Sequence, residues 1–163
     1  MDRRAYLEGK FGGKDGAVRA YAPVVAQAVA AGLEINFEGI TRTPNTLDAH
    51  RLIHWAGIEQ HQTEAVDALF EAYFVEGRDI GARDVLADIA DMIGLDAAIV
   101  HKLLASDADR AEIAERDRAA REMGVNSVPT FIVANQNAVP GAQPPELWER
   151  VIDELSAKLA EPS

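Results

Sequence analysis

The stretch Gly124 to Val133, "GVNSVPTFIV", decides the reading of the fold. A glycine suited to closing a helix is followed by a proline and then by Thr130, Phe131, Ile132 and Val133, β-branched and aromatic residues with no polar alternation. Consecutive apolar residues place side chains on both faces of a strand, as expected for one covered above and below in a layered α/β sheet. Pro129 has no N–H to give to a ladder, so it belongs at the strand's entry or at a turn, and a cis peptide is one way to make a sharp entry.

Working outward, "TFIV" and "AVPG" are separated by "ANQN" and form a candidate hairpin. "PPELWERVIDELSAKLA" is a final helix with Pro145 near its first position and an apolar face of Leu147, Trp148, Val151, Ile152, Leu155 and Leu159. Phe131, Val133, Leu147, Trp148 and Val151 are expected in a core shared with the preceding helices. A lone pair of strands is marginal in water and needs a third strand or a covering helix. The rest of the sequence offers almost none: "LEINFEGI" alternates at Leu33, Ile35 and Phe37, but Gly39 and Pro44 punctuate it, and it reads as an extended connector.

Everything upstream reads as helix, after a mixed polar opening. Gly16 to Ala31 is rich in Ala and Val and stops at Gly32. A second helix follows Pro44, with Asn45 as N-cap, Asp48 as its reciprocal partner and an apolar face of Leu47, Ala49, Leu52, Ile53, Trp55 and Ala56. A third begins near Thr63, carries the stripe Val66, Leu69, Phe70, Tyr73 and Phe74, and ends at Gly77. Arg83 to Ile93 is a fourth, Asp96 caps a fifth running to Ala105, and Ser106 with Asp109 has capping-box spacing before a charged sixth that ends at Gly124. No repeat, linker or low-complexity tract interrupts the 163 residues, so a single domain is expected.

Composition excludes several function classes. Twenty-seven acidic against 16 basic residues give a net charge of −11, with the basic residues scattered, so nucleic acid and anionic membranes would be repelled. No leader pattern or run of about 18 apolar residues is evident, and a soluble, cytoplasmic chain is expected. There is no cysteine, which removes thiol nucleophiles, disulfides and thiolate metal sites.

No constellation makes a catalytic centre by spacing alone. His50 and His54 stand four apart on one helix, a spacing used in zinc sites, but Arg51 occupies the position where a glutamate would follow the first histidine, and no third ligand is evident; no metal is expected. His61 and His101 read as surface residues. Asp79, Asp84, Asp88 and Asp91 are expected to scatter over a solvated face, and neither a phosphate loop nor a Gly-x-Ser-x-Gly elbow is present.

Taken together, "RRAYLEGKFGG", "TRTPNTLDAHRLIHWA", "LFEAYFVEGRDIG", "VLADIA", "GVNSVPTFIV" and "VPGAQPP" resemble, in order and spacing, the DsbA-like thioredoxin-fold proteins of the FrnE type, kin of the 2-hydroxychromene-2-carboxylate isomerases. The resemblance covers essentially the whole chain but only the later part of such a protein. It implies a mainly α fold with a small β-hairpin, a partial DsbA-like thioredoxin fold. Residues 1–163 would be one truncated domain, with a helical insertion over 16–123 and a thioredoxin-like hairpin and helix over 125–160. Family members begin with a strand and a Cys-Pro-x-Cys motif, neither of which is found here. The resemblance also implies that Val128-Pro129 is the cis-proline loop, with Val128, Pro129 and Thr130 as substrate-binding residues and no catalytic residue in this chain. Thiol–disulfide exchange on a protein or small thiol or disulfide would then be the family's activity and need no cofactor; the isomerase branch binds glutathione against the same loop. This chain should be inactive alone, or serve as a non-catalytic binding or assembly module. An open sheet edge makes a homodimer the expected state.

Overall fold

The chain opens with a helix that its polar composition did not announce. Asp2 sits in extended conformation and its carboxylate accepts from the Ala5 N–H at 2.8 Å, starting α1 (Arg3–Phe11). The computed structural model describes residues 1–134 and 137–160, apart from the side chains of residues 137 and 158–160. After α1 come α2 (Lys14–Ala30), α3 (Leu47–Ile58), α4 (Gln62–Phe70) running on into a π-helical turn at Glu71–Val75, α5 (Arg83–Met92), α6 (Ala97–Ala105) and α7 (Arg110–Glu122). The strands β1 (Thr130–Val133) and β2 (Asn137–Pro140) precede α8 (Pro145–Ala160). Two compact units result, Met1–Ala114 and Glu115–Ser163. Among the described residues no helix is long and apolar enough to cross a membrane.

The core of the first unit lies among α3, α4, α5 and α6, where Leu52, Leu86, Ile89 and Leu104 expose none of their surface. Burying each side chain of this size contributes about 2 kcal/mol. The stripe expected on α4 is displaced. Ala65, Leu69, Ala72 and Tyr73 are buried, while Phe70 is 59% exposed, because the face turned to the core is centred on small alanines rather than on the largest side chains. Among α2's residues only Ala28 is buried; Val18 and Val29 are exposed. Tyr21 of α2 instead joins an aromatic row, edge-on to Phe11 and to Phe37. Arg3 binds the hydroxyls of Tyr21 and Tyr73, and Tyr73 donates in turn to the Arg42 carbonyl, tying α1, α2, the connector and the π-helical turn together.

Arg51 is the polar centre of this unit and has no exposed surface. Its Nε donates to the Ala108 carbonyl at 2.7 Å, and one terminal nitrogen donates to Leu103 and Ser106 at 2.7 and 3.0 Å. The other reaches Asp48 Oδ1 at 2.9 Å and the Leu104 carbonyl at 3.5 Å. All five donors of the guanidinium are thus used, four of them on carbonyls of the last turn of α6 and of the segment just after it. Asp48 is therefore not the capping partner of Asn45. Asn45 instead accepts from the Leu47 N–H at 3.0 Å, while Asp48 bridges Arg51 and Arg110. The sixth helix also starts later than expected, at Arg110, with Asp109 in left-handed conformation at φ 56° before it. Ser106 accepts from the Ala108 N–H and donates to the Leu103 carbonyl, a local turn rather than a capping box.

In the second unit Gly124 ends α7 at φ 91°, donating to the Arg121 carbonyl while Val125 donates to that of Ala120. The strands β1 and β2 pair antiparallel, Thr130 opposite Pro140 and Val133 opposite Asn137. Asn135 and Gln136 of the connecting "ANQN" and Leu159's side chain lie outside the described residues. Phe131 stacks edge-on against Trp148 of α8, ring centroids 4.7 Å apart. The expectation of a strand covered on both faces does not hold: Phe131 and Ile132 are each 44% exposed, and Ile152 on α8 is 60% exposed. Two strands and one helix supply too little apolar surface to enclose them.

Replacing Arg51 with methionine should lower stability in urea unfolding by about 3 kcal/mol, since carbonyls at the end of α6 lose their buried partner. Gly77→Ala should cost more than about 1 kcal/mol. Gly77 stands at φ 71°, and an added Cβ would come within 2.5 Å of the Gly39 carbonyl oxygen.

Candidate functional site

Among the described residues, two places are candidate sites, one in each unit. In the second unit the approach to β1 is held by short local bonds. Thr130 Oγ1 donates to the Ser127 carbonyl at 2.7 Å, and the Gly141 N–H donates to the Pro129 carbonyl at 2.7 Å. The Val128-Pro129 peptide is cis. Val128 is 90% exposed, and among the described residues neither its N–H nor its carbonyl has a partner. The loop thus presents a backbone donor and acceptor fixed beside a strand, the arrangement that receives an extended peptide by strand addition. It holds no thiol, because the chain has no cysteine.

In the first unit His54 is grouped with Asp109 and Glu112, a set that does not include His50; one donor atom from each falls within 4.8 Å of the others. Asp109 is oriented by Trp55, whose Nε1–H donates to Oδ2 at 2.7 Å. Sequence reasoning missed this group because 55 residues separate His54 from Asp109; the left-handed Asp109 could not be read from spacing.

The remaining candidates lie elsewhere, several with ordinary structural partners. His61 is half-buried at the start of α4, and His101 meets Asp84 at 3.3 Å on the surface. Asp79 binds Arg42 and the Gly81 N–H, Asp88 binds Arg78, and Asp91 is exposed. The four aspartates do not converge. Burial raises the Tyr73 phenol above its usual range, with the nearby Arg3 guanidinium opposing that rise.

An α-helical unit, a hairpin-and-helix unit and an exposed Val128-Pro129 loop define the class to which the comparisons point. The DSBA-like thioredoxin domain matches residues 22–153, and the chain belongs to that family. YwbO of Bacillus subtilis (strain 168), an uncharacterized protein, is 30% identical over 131 residues, covering 78% of this chain. The chain spans 64% of that relative's length. A crystal structure of a probable DsbA oxidoreductase from Streptomyces coelicolor matches with a TM-score of 0.83 at 28% identity, covering 100% of this chain and 70% of the other.

Thr130→Val should speed hydrogen exchange of the Gly141 amide severalfold, because the hydroxyl that ties β1 to Ser127 is lost. Unchanged protection would show that the Gly141–Pro129 bond alone holds the loop.

Proposed function

We propose that the chain provides the substrate-binding loop of a FrnE-type thiol–disulfide oxidoreductase and performs no exchange by itself. The observation that carries this reading is Val128: nearly fully exposed, with a free N–H and carbonyl beside Pro129 and Thr130. An extended segment of a disulfide- or thiol-bearing protein would lie along this backbone and pair with it as a strand, while backbone bonds supply affinity. Exchange needs a thiolate to attack a disulfide sulfur and form a mixed disulfide, and none of the 163 residues provides one. Family membership supports the chemistry proposed for the loop's ligand. The cytoplasmic location expected from the sequence belongs to the same proposal.

A second reading is a non-catalytic binding or assembly module. Its support is the hairpin, which among the described residues pairs only with itself and leaves outer edges for a second copy. A homodimer through that edge is part of this reading. The isomerase-like alternative would place glutathione at the same loop.

The purified chain should show no insulin reduction and no dithiol oxidation above buffer. It should bind a reduced cysteine-containing peptide in extended form, with NMR shifts centred on Val128 and Thr130. Val128→Pro, which removes the N–H, should weaken that binding at least fivefold. Peptide shifts confined to another surface would overturn the loop assignment. Light scattering that shows a monomer at millimolar concentration would remove the dimer.

A further inference from the structure

We propose that His54, Asp109 and Glu112 form a binding site for one divalent transition-metal ion of the zinc class. The three come from different places in the first unit: His54 from α3, Asp109 from the residue before α7, and Glu112 from α7's first turn. Their donor atoms converge to within 4.8 Å, one imidazole nitrogen and two carboxylate oxygens. In a tetrahedral zinc site, bonds of about 2.0–2.2 Å place ligand atoms roughly 3.3 Å apart. Closing the remaining gap draws the carboxylate of the exposed Glu112 inward and away from an interaction it already makes.

Two observations set this group apart from an ordinary surface cluster. The first is His54 itself: half-buried, it has no hydrogen-bond or ion-pair partner among the described residues, so a ring nitrogen is available as a ligand. The second is the support beneath Asp109. Trp55 Nε1–H holds Oδ2 at 2.7 Å, leaving Oδ1 free to face an ion. Trp55 is buried and lies under the Arg51 guanidinium, 5.0 Å from ring centroid to its central carbon. Arg51 in turn fixes the carbonyls of Ser106 and Ala108 just before Asp109. A buried donor that orients a carboxylate is how outer partners tune metal ligands.

The donor set selects the ion. One imidazole and two carboxylates, without sulfur, suit zinc and its divalent neighbours rather than copper(I) or an iron–sulfur cluster, and two negative charges offset the ion's own. Three protein ligands leave a position for water, the coordination of an exchangeable or reactive site rather than a closed structural one.

The full 163-residue chain, stripped with chelator, should bind one zinc per chain with micromolar affinity in calorimetry. Cobalt(II) at the same site should give visible absorption bands that zinc abolishes. In the unaltered protein, zinc should shift the His54 ring resonances and leave those of His50, His61 and His101 in place, a readout that needs no variant. His54→Gln should weaken binding at least tenfold, as should Asp109→Asn, which keeps an oxygen for Trp55 while removing the charge. No binding up to 1 mM zinc, or shifts centred on another histidine, would overturn the proposal. So would undiminished affinity in both variants.

Discussion

The guanidinium of Arg51 sets the geometry on which the rest of the first unit depends. A charge with no solvent contact is costly unless every donor is satisfied, and here five N–H groups meet one carboxylate and carbonyls of the segment from Leu103 to Ala108. The residue therefore does what a capping side chain does at a helix end, but from a different helix. It joins α3 to the end of α6 across more than fifty residues of sequence and fixes where the chain turns toward α7. Asp48 completes the arrangement by bridging Arg51 and Arg110.

From that centre the order spreads outward. Trp55, one helical turn beyond Arg51 and stacked beneath it, reaches Asp109 with its indole N–H. Asp109 adopts a left-handed conformation that an aspartate tolerates better than most residues. The apolar core and this polar chain are adjacent layers of one structure, since Leu52, Trp55 and Leu104 lie on the same elements that carry the hydrogen bonds. The surface formed by His54, Asp109 and Glu112 follows from that buried architecture.

The second unit obeys a different economy. A two-stranded ribbon backed by one helix cannot bury its own apolar residues, and Phe131, Ile132 and Ile152 remain substantially exposed. What it holds well is a short stretch of backbone, pinned by Thr130 and Gly141 on either side of Pro129. Exposed apolar surface beside ordered, unpaired backbone is suited to receiving a partner segment. Membership of the DSBA-like thioredoxin domain family gives that surface its chemical context.

Local signals determined much of this protein. Gly124, Pro129 and the run from Thr130 to Val133 marked the end of α7 and the hairpin, Pro145 marked the start of α8, and Asp96 capped α6 as its position suggested, accepting from Ala98 and Ile99. The absence of cysteine likewise shows that this chain supplies no thiol nucleophile. The first helix was missed because a single cap at Asp2 and packing by Arg3 outweigh a weak pattern. Tertiary structure alone decided that Arg51 is buried, that Asp48 faces two arginines, and that His54 comes near Asp109 and Glu112. Periodicity records which face of one helix is apolar, but a contact between residues fifty positions apart depends on how two helices cross and where a turn ends.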